Sequence, residues 1–122
     1  MEIRKKTINN TEYSFVNETW ENYNSWGHKT TILRGNCELI TNKVRYYNRT
    51  WECYTYQTCM DGAVNTLIDE ELQRYIENYK EDNGITRFKK GQKEEVINQF
   101  KETENYKDLQ ALKEAVRDRN FD

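Results

Sequence analysis

Residues 43–60 pack five aromatic side chains and two arginines into eighteen positions. A planar base is held well by stacking on Tyr or Trp. A phosphate is held by the planar fork of Arg, which donates two hydrogen bonds to paired oxygens. Arg45 and Arg49, interleaved with Tyr46, Tyr47 and Trp51, supply both kinds of group. In a strand ending at Tyr47, Arg45 and Tyr47 would share one face while Val44 and Tyr46 take the other. The competing reading makes these aromatics the core and pairs the arginines with Glu38 or Glu52. Phe88, Asn98, Arg117 and Arg119 form a second set, because a loop aromatic and polar residues on short helices often complete a pocket. Taken singly, each of these is also explained as surface or packing.

Catalytic constellations are absent from the sequence. It has no phosphate-cradling glycine loop, no G-x-S-x-G elbow, no H-E-x-x-H and a single histidine, His28. His28 opens a run of strand character, where a structural hydrogen bond is the plain expectation. The acidic residues at 69 to 71 read as the solvated side of a helix rather than as paired catalytic carboxylates. Cys37, Cys53 and Cys59 are an odd number with no C-x-x-C pair, so free thiols are expected and a metal site is not. The expectation is therefore a binding protein, with no enzymatic activity, cofactor or metal.

The elements that would position these residues follow from the period of the apolar pattern. The chain has 122 residues, 35% hydrophobic and 33% charged, and is read as a single domain, 1–122. That lean apolar content is offset by 13% aromatics, and it leads us to expect a homodimer or higher homo-oligomer. The fold class expected is α+β. An antiparallel sheet of four or five strands spans 1–49, a long helix 50–83, and a loop with two short helices 84–122. Glu2 to Ile8 and Glu12 to Val16 read as strands, with Asn9-Asn10 as the turn. Residues 18–27, rich in Asn and Ser, read as an irregular aromatic connection. A strand from Gly27 leads to a Gly35-Asn36 hairpin turn, followed by one long strand or two short ones interrupted near Asn42.

From Trp51 to Tyr79 the apolar residues step by threes and fours, which predicts one long helix. Thr50 or Asn48 is its cap, Glu52 sits in its first turn and Asn83-Gly84 is its stop. Such a helix is expected to run past its own sheet and pair with another chain, with Gly62 marking a close contact or a bend. Short helices are expected over 93–101 and 104–119.

The net charge of −2 opposes a general binder of phosphate backbones, so DNA is not an expected partner. Residues 61–83 carry two basic and seven acidic side chains, whereas residues 84–122 carry nine and eight. No apolar run is long enough to cross a membrane, and Met1 leads into Glu2-Ile3-Arg4-Lys5-Lys6 without the core of a signal peptide, so a soluble cytoplasmic product is expected.

Ser25-Trp26-Gly27-His28 together with Val44-Arg45-Tyr46-Tyr47-Asn48-Arg49-Thr50-Trp51-Glu52 resembles small phage proteins of low-GC Gram-positive hosts. More narrowly, the chain resembles the first Thoeris anti-defence family, phage sponges for cyclic ADP-ribose signals. The similarity covers residues 12–80, and the C-terminal third matches in size and helical character. The resemblance implies a sheet followed by helices, assembled as a homodimer or higher oligomer with pockets shared between protomers, acting in the host cell cytoplasm. It implies sequestration of a glycocyclic ADP-ribose signal without hydrolysis, which keeps an NAD-depleting effector silent. Some relatives also bind cyclic oligonucleotides at a separate site. The family surrounds its nucleotide with an aromatic ring, an asparagine and several arginines. Phe88, Asn98 and Arg117 or Arg119 would take these roles, with Arg34 and Arg49 next and Arg45 keeping a ligand role. The alternative is a phage inhibitor that binds a defence protein directly, such as an anti-CRISPR acting through the acidic middle face. A third reading is a small regulatory nucleic-acid binder.

Overall fold

The structure, a computed structural model, describes residues 1–47 and 56–122. Four strands, β1 (Glu2–Ile8), β2 (Thr11–Glu21), β3 (Ser25–Arg34) and β4 (Cys37–Tyr47), precede three helices, α1 (Tyr56–Asp82), α2 (Gln92–Lys101) and α3 (Glu104–Asp118). The sheet is a simple antiparallel meander in the order β1-β2-β3-β4. The expected α+β arrangement is thus what the chain adopts.

Its turns follow local chemistry. Asn9 and Asn10 take φ values of 50° and 64° between β1 and β2. Gly35, at φ 58°, turns β3 into β4. These are left-handed positions that Gly and Asn occupy at the least steric cost.

One strand expectation changes and one open alternative is resolved. Residues 18–27 are not an irregular connection, because Glu18–Glu21 continue β2 and Ser25–Gly27 open β3. Their ladder pairs Trp20 with Gly27 and Glu21 with Trp26, and the Asn22 N–H donates to the Ser25 carbonyl at 2.7 Å across a tight turn. Asn and Ser suggested a loop, but the bare backbone of Gly27 gives the Trp20 ring a place to lie, and burial of that ring favours the extended strands. The strand after Gly35 is one continuous element, not two. The irregularity lies at Leu39, where the register against Ile32 and Leu33 slips by one residue, rather than at Asn42.

One face of the sheet is covered by α1 and α3. Tyr13, Phe15, Ile32 and Ile40 from the sheet meet Met60, Ala63, Val64 and Leu67 of α1 and Leu109, Leu112 and Val116 of α3 in one core. Fully burying side chains of this size stabilises by about 1.5–3 kcal/mol each. Two fully buried polar residues sit among them and satisfy one another. The Thr30 hydroxyl donates to Asn17 Oδ1 at 2.7 Å, and Asn17 Nδ2 reaches Met60 Sδ at 3.3 Å. Gly62 marks a close contact rather than a bend: a Cβ there would stand 2.8 Å from Asn42 Nδ2, the amide that donates to the Cys59 carbonyl at 3.1 Å.

Helix α1 stops where expected. The Ile85 N–H returns to the Lys80 carbonyl at 2.9 Å and Gly84 takes φ 62°. Its C-terminal half is packed by Phe100 of α2, against Tyr75, and by Phe88 of the α1–α2 connection, against Tyr79. Helix α3 is capped by the Thr103 hydroxyl, which accepts from the Tyr106 N–H. It runs antiparallel to α1: Asn105 near its start reaches Glu71, and Val116 near its end accepts from Gln57. The chain then returns to β1. Phe121 packs edge-on against Phe15, and Asp122 bonds the Lys5 carbonyl and the Thr7 N–H, both at 2.8 Å.

The expectations for Asn48, Arg49, Thr50, Trp51, Glu52, Cys53 and Tyr54, including the helix cap and first turn, lie outside the described residues.

Candidate functional site

Phe88 lies on the connection between α1 and α2. Its ring is tilted against Tyr79 with centroids 6.2 Å apart, and Lys80 Nζ stands 4.7 Å from its centre. The residue is half-buried, held by Tyr79 and Lys80 on the last turn and a half of α1. Asn98 is exposed one element further on, in an open cleft of about 480 Å³ with Tyr75, Glu95, Gln99 and Glu102. That volume lies within the range of about 300–1,000 Å³ typical of small-molecule sites. The cleft lining carries two carboxylates and no cation, so by itself it cannot hold a phosphate.

Arg117 and Arg119 stand at the far end of α3, both exposed. Arg117 Nε and Nη2 donate to the two carboxylate oxygens of Asp118 at 3.1 and 3.3 Å. This guanidinium holds the Asp118 carboxyl below its usual range. Because the pair is fully exposed, a phosphate competing for the fork meets little resistance from it. Arg119 caps the helix in a left-handed conformation, φ 54°, with its N–H on the Val116 carbonyl and that of Asn120 on Ala115. Glycine is the least strained residue there.

Arg119→Gly is therefore expected to raise stability by up to about 1 kcal/mol, read as a higher Tm. If Arg119 also holds a ligand, the same variant loses affinity while it gains stability, an outcome that loss of folding could not produce.

The two groups are far apart in one protomer. Gln57 of α1 bonds Val116 beside Arg117, while Tyr79 packs Phe88. The intervening length of α1 is about 33 Å at the helical rise of about 1.5 Å per residue. The fold therefore does not gather Phe88, Asn98, Arg117 and Arg119 into one pocket within a chain.

Arg34 has a structural post. Its guanidinium lies over the Tyr13 ring at 5.4 Å and donates to the Tyr13 hydroxyl and to Asn105 Oδ1, both at 3.2 Å. Asn105 Nδ2 continues to Glu71 Oε2 at 3.4 Å, and Glu71 Oε1 accepts from Arg74 at 3.0 Å. The link ties β3 to the start of α3 and the middle of α1. Glu71 is thus part of a helix contact, unlike the solvated acid expected of it.

Arg45 joins a different group on the sheet face opposite the helices. The Trp20 ring lies across Gly27, with Lys43 Nζ 4.3 Å and the Arg45 guanidinium 5.4 Å from its centre. A cleft of about 440 Å³ beside it is lined by Thr19, Trp20, Glu21 and Trp26. Lys43, Trp20 and Trp26 are not among the candidate ligand residues read from the sequence. The available signal was a glycine within a strand, directly opposite a tryptophan on one side and an arginine on the other. Arg49 lies outside the described residues.

His28 is enclosed by aromatic rings, with Tyr56 at 4.9 Å, Tyr46 at 5.6 Å and Trp26 at 5.7 Å between centroids. Burial lowers its pKa. Cys59 is a buried free thiol whose pKa is raised by burial, and Cys37 is free and exposed. No group of three or more His, Cys, Asp or Glu residues able to hold a metal occurs among the described residues. No described helix is long and apolar enough to cross a membrane.

Comparisons with the models of known protein families, with curated proteins and with solved structures returned no match.

Proposed function

We propose that this chain is a nucleotide sponge of the kind its sequence resembles: a phage anti-defence protein in the host cell cytoplasm that binds a glycocyclic ADP-ribose signal and holds it intact. It acts as a homodimer or higher homo-oligomer in which each pocket is completed by two protomers. Phe88 and Asn98 of one chain supply the stacking ring and the amide, and Arg117 and Arg119 of the next supply the phosphate forks.

The observation that carries this reading is the division of labour along α1. The cleft beside Asn98 has tyrosine and amides but acidic walls, and the C-terminal end of α3 has exposed arginines about 30 Å away. Each is half of a nucleotide site, and only a second copy can bring the halves together. The resemblance itself implies shared pockets and a sheet-then-helices order, and the order agrees with the fold described above. The mechanism is mass action. A sponge made in excess of its signal silences the effector if its affinity is nanomolar, about −12 kcal/mol. Two guanidiniums on two phosphates, with a base stacked on Phe88, are the interactions that reach this range without any bond being broken.

The test is recovery. Protein saturated with the cyclic nucleotide and then heat-denatured should return the ligand unchanged, by mass and retention time, in equimolar amount to the pockets. Release of a linear product would replace the sponge with an enzyme.

The acidic outer face of α1 favours the second reading. Asp69, Glu70 and Glu77, with Thr66, Gln73 and Arg74, line a shallow cleft of about 360 Å³ where a basic protein surface would fit. An inhibitor of a defence nuclease would co-elute with its target on sizing, which a sponge does not require.

A further inference from the structure

We infer that a pocket at the junction of the three helices holds one ribose of the bound nucleotide by its cis-diol, an inference that rests on the nucleotide reading above. Glu71, Arg74, Tyr75 and Asn78 stand at i, i+3, i+4 and i+7 and so share one face of α1. Phe100 near the end of α2 and Asn105 near the start of α3 close that face into a pocket of about 150 Å³. Such a space falls below the range of about 300–1,000 Å³ for a whole small molecule and admits one unit of a larger one. Tyr75 also lines the cleft of about 480 Å³ that contains Asn98, so the rest of the ligand has a place beside it.

The lining selects a sugar. Its apolar wall is the Tyr75 and Phe100 rings, with centroids 5.5 Å apart, against which the C–H face of a pentose can rest. Its polar wall is the Glu71 carboxylate, which is 20% exposed. Oε1 accepts from Arg74 at 3.0 Å and Oε2 from Asn105 at 3.4 Å, and these two bonds fix its orientation. A carboxylate oxygen accepts two hydrogen bonds, so each keeps a lone pair for a hydroxyl. Two adjacent hydroxyls match two oxygens of one carboxylate, as acidic residues do at ribose sites. The Asn78 amide is exposed, has no protein partner among the described residues, and can donate to the hydroxyl oxygens.

The other parts of the nucleotide fit this pocket less well. Glu71 repels a phosphate, so the phosphates fall to Arg117 and Arg119 of the next protomer. Phe88, packed on Tyr79 one turn further along α1, keeps the base. A glycosidic bond between the two riboses of a glycocyclic ADP-ribose consumes a hydroxyl of one and leaves the cis-diol of the other intact. That second ribose is the one the pocket takes.

Calorimetry with glycocyclic ADP-ribose and with its analogue lacking both hydroxyls of that diol tests the assignment. The wild type should bind the analogue about tenfold or more weakly, the loss that follows from removing a hydrogen bond to a charged group. Glu71→Gln and Asn78→Ala should each weaken binding of the parent nucleotide about tenfold and change binding of the analogue little, so that the discrimination shrinks. Asn78 is exposed and unbonded, so its replacement keeps the fold, and any loosening of the helix contacts by Glu71→Gln would weaken both compounds alike. A wild type indifferent to the diol, or variants that discriminate as well as the wild type does, would overturn the ribose pocket and leave the sponge standing. A wild type that binds neither compound would remove the sponge reading, and the ribose pocket with it.

Discussion

Mixtures of Phe88→Ala chains with Arg117→Ala/Arg119→Ala chains are expected to bind the cyclic nucleotide with wild-type affinity in part of their pockets, although neither protein does so alone. Each variant by itself should lose affinity by about 100-fold or more, the range for removing a central anchor of about 2–4 kcal/mol. Random exchange makes half the dimers mixed. In a mixed dimer one pocket combines both substitutions, while the other combines an intact Phe88 with intact arginines, so about a quarter of all pockets should recover full affinity. Calorimetry on co-refolded chains reads this as wild-type affinity at reduced stoichiometry. A pocket built within one protomer would show no recovery, because every chain in the mixture would carry a defect. The outcome thus tests the inference drawn from the length of α1 between Gln57 and Tyr79.

Gly27→Ala is expected to destabilise the fold by about 3 kcal/mol or more, lowering Tm by about 10 °C or more. A Cβ at Gly27 would lie 1.8 Å from the Val44 carbonyl oxygen and 2.8 Å from two carbons of the Trp20 ring. The ring could swing out at the expense of its packing and of the Lys43 and Arg45 contacts. The carbonyl belongs to the β4 backbone and can move only if the β3–β4 ladder opens. Combining Gly27→Ala with Trp20→Ala should therefore recover little stability. Gly35→Ala provides the contrast: nothing stands within 4 Å of a Cβ there, and φ 58° leaves only left-handed strain of about 1–2 kcal/mol. Thermal unfolding of the variants decides it, and a Gly27→Ala protein that melts with the wild type would show that the close approach is not rigid. A loss of that size is a large part of the 5–15 kcal/mol typical of a domain.

Legibility differed from element to element for physical reasons. The stop of α1 at Asn83-Gly84, the Gly35-Asn36 turn, and the spans of α2 and α3 were readable because turns and short amphipathic helices are specified by residues within a few positions of one another. The strand character of residues 18–27 was not. Trp20 and Trp26 look alike in sequence, yet one covers Gly27 on the outer face and the other stacks on Tyr46 at 4.7 Å on the inner face. Which ring goes where depends on partners up to some twenty-five residues away along the chain. The candidate site divided in the same manner. That Phe88, Asn98, Arg117 and Arg119 suit a nucleotide follows from their chemistry. That they stand at opposite ends of α1, and that Arg34 is committed to Tyr13 and Asn105, required the packing of α3 against α1.

By itself the sequence determined an α+β chain with a period-two half and a helical half, an acidic middle, and an aromatic and arginine content suited to binding. These are properties of composition and of spacing, and no fold can alter them. The tertiary structure decided where the C-terminus docks, which arginine is a strut and which is exposed, and how far Phe88 and Asn98 lie from Arg117 and Arg119. Those depend on contacts between residues distant in the chain, such as Asp122 on β1 and Val116 on Gln57, and a linear pattern carries no record of such contacts.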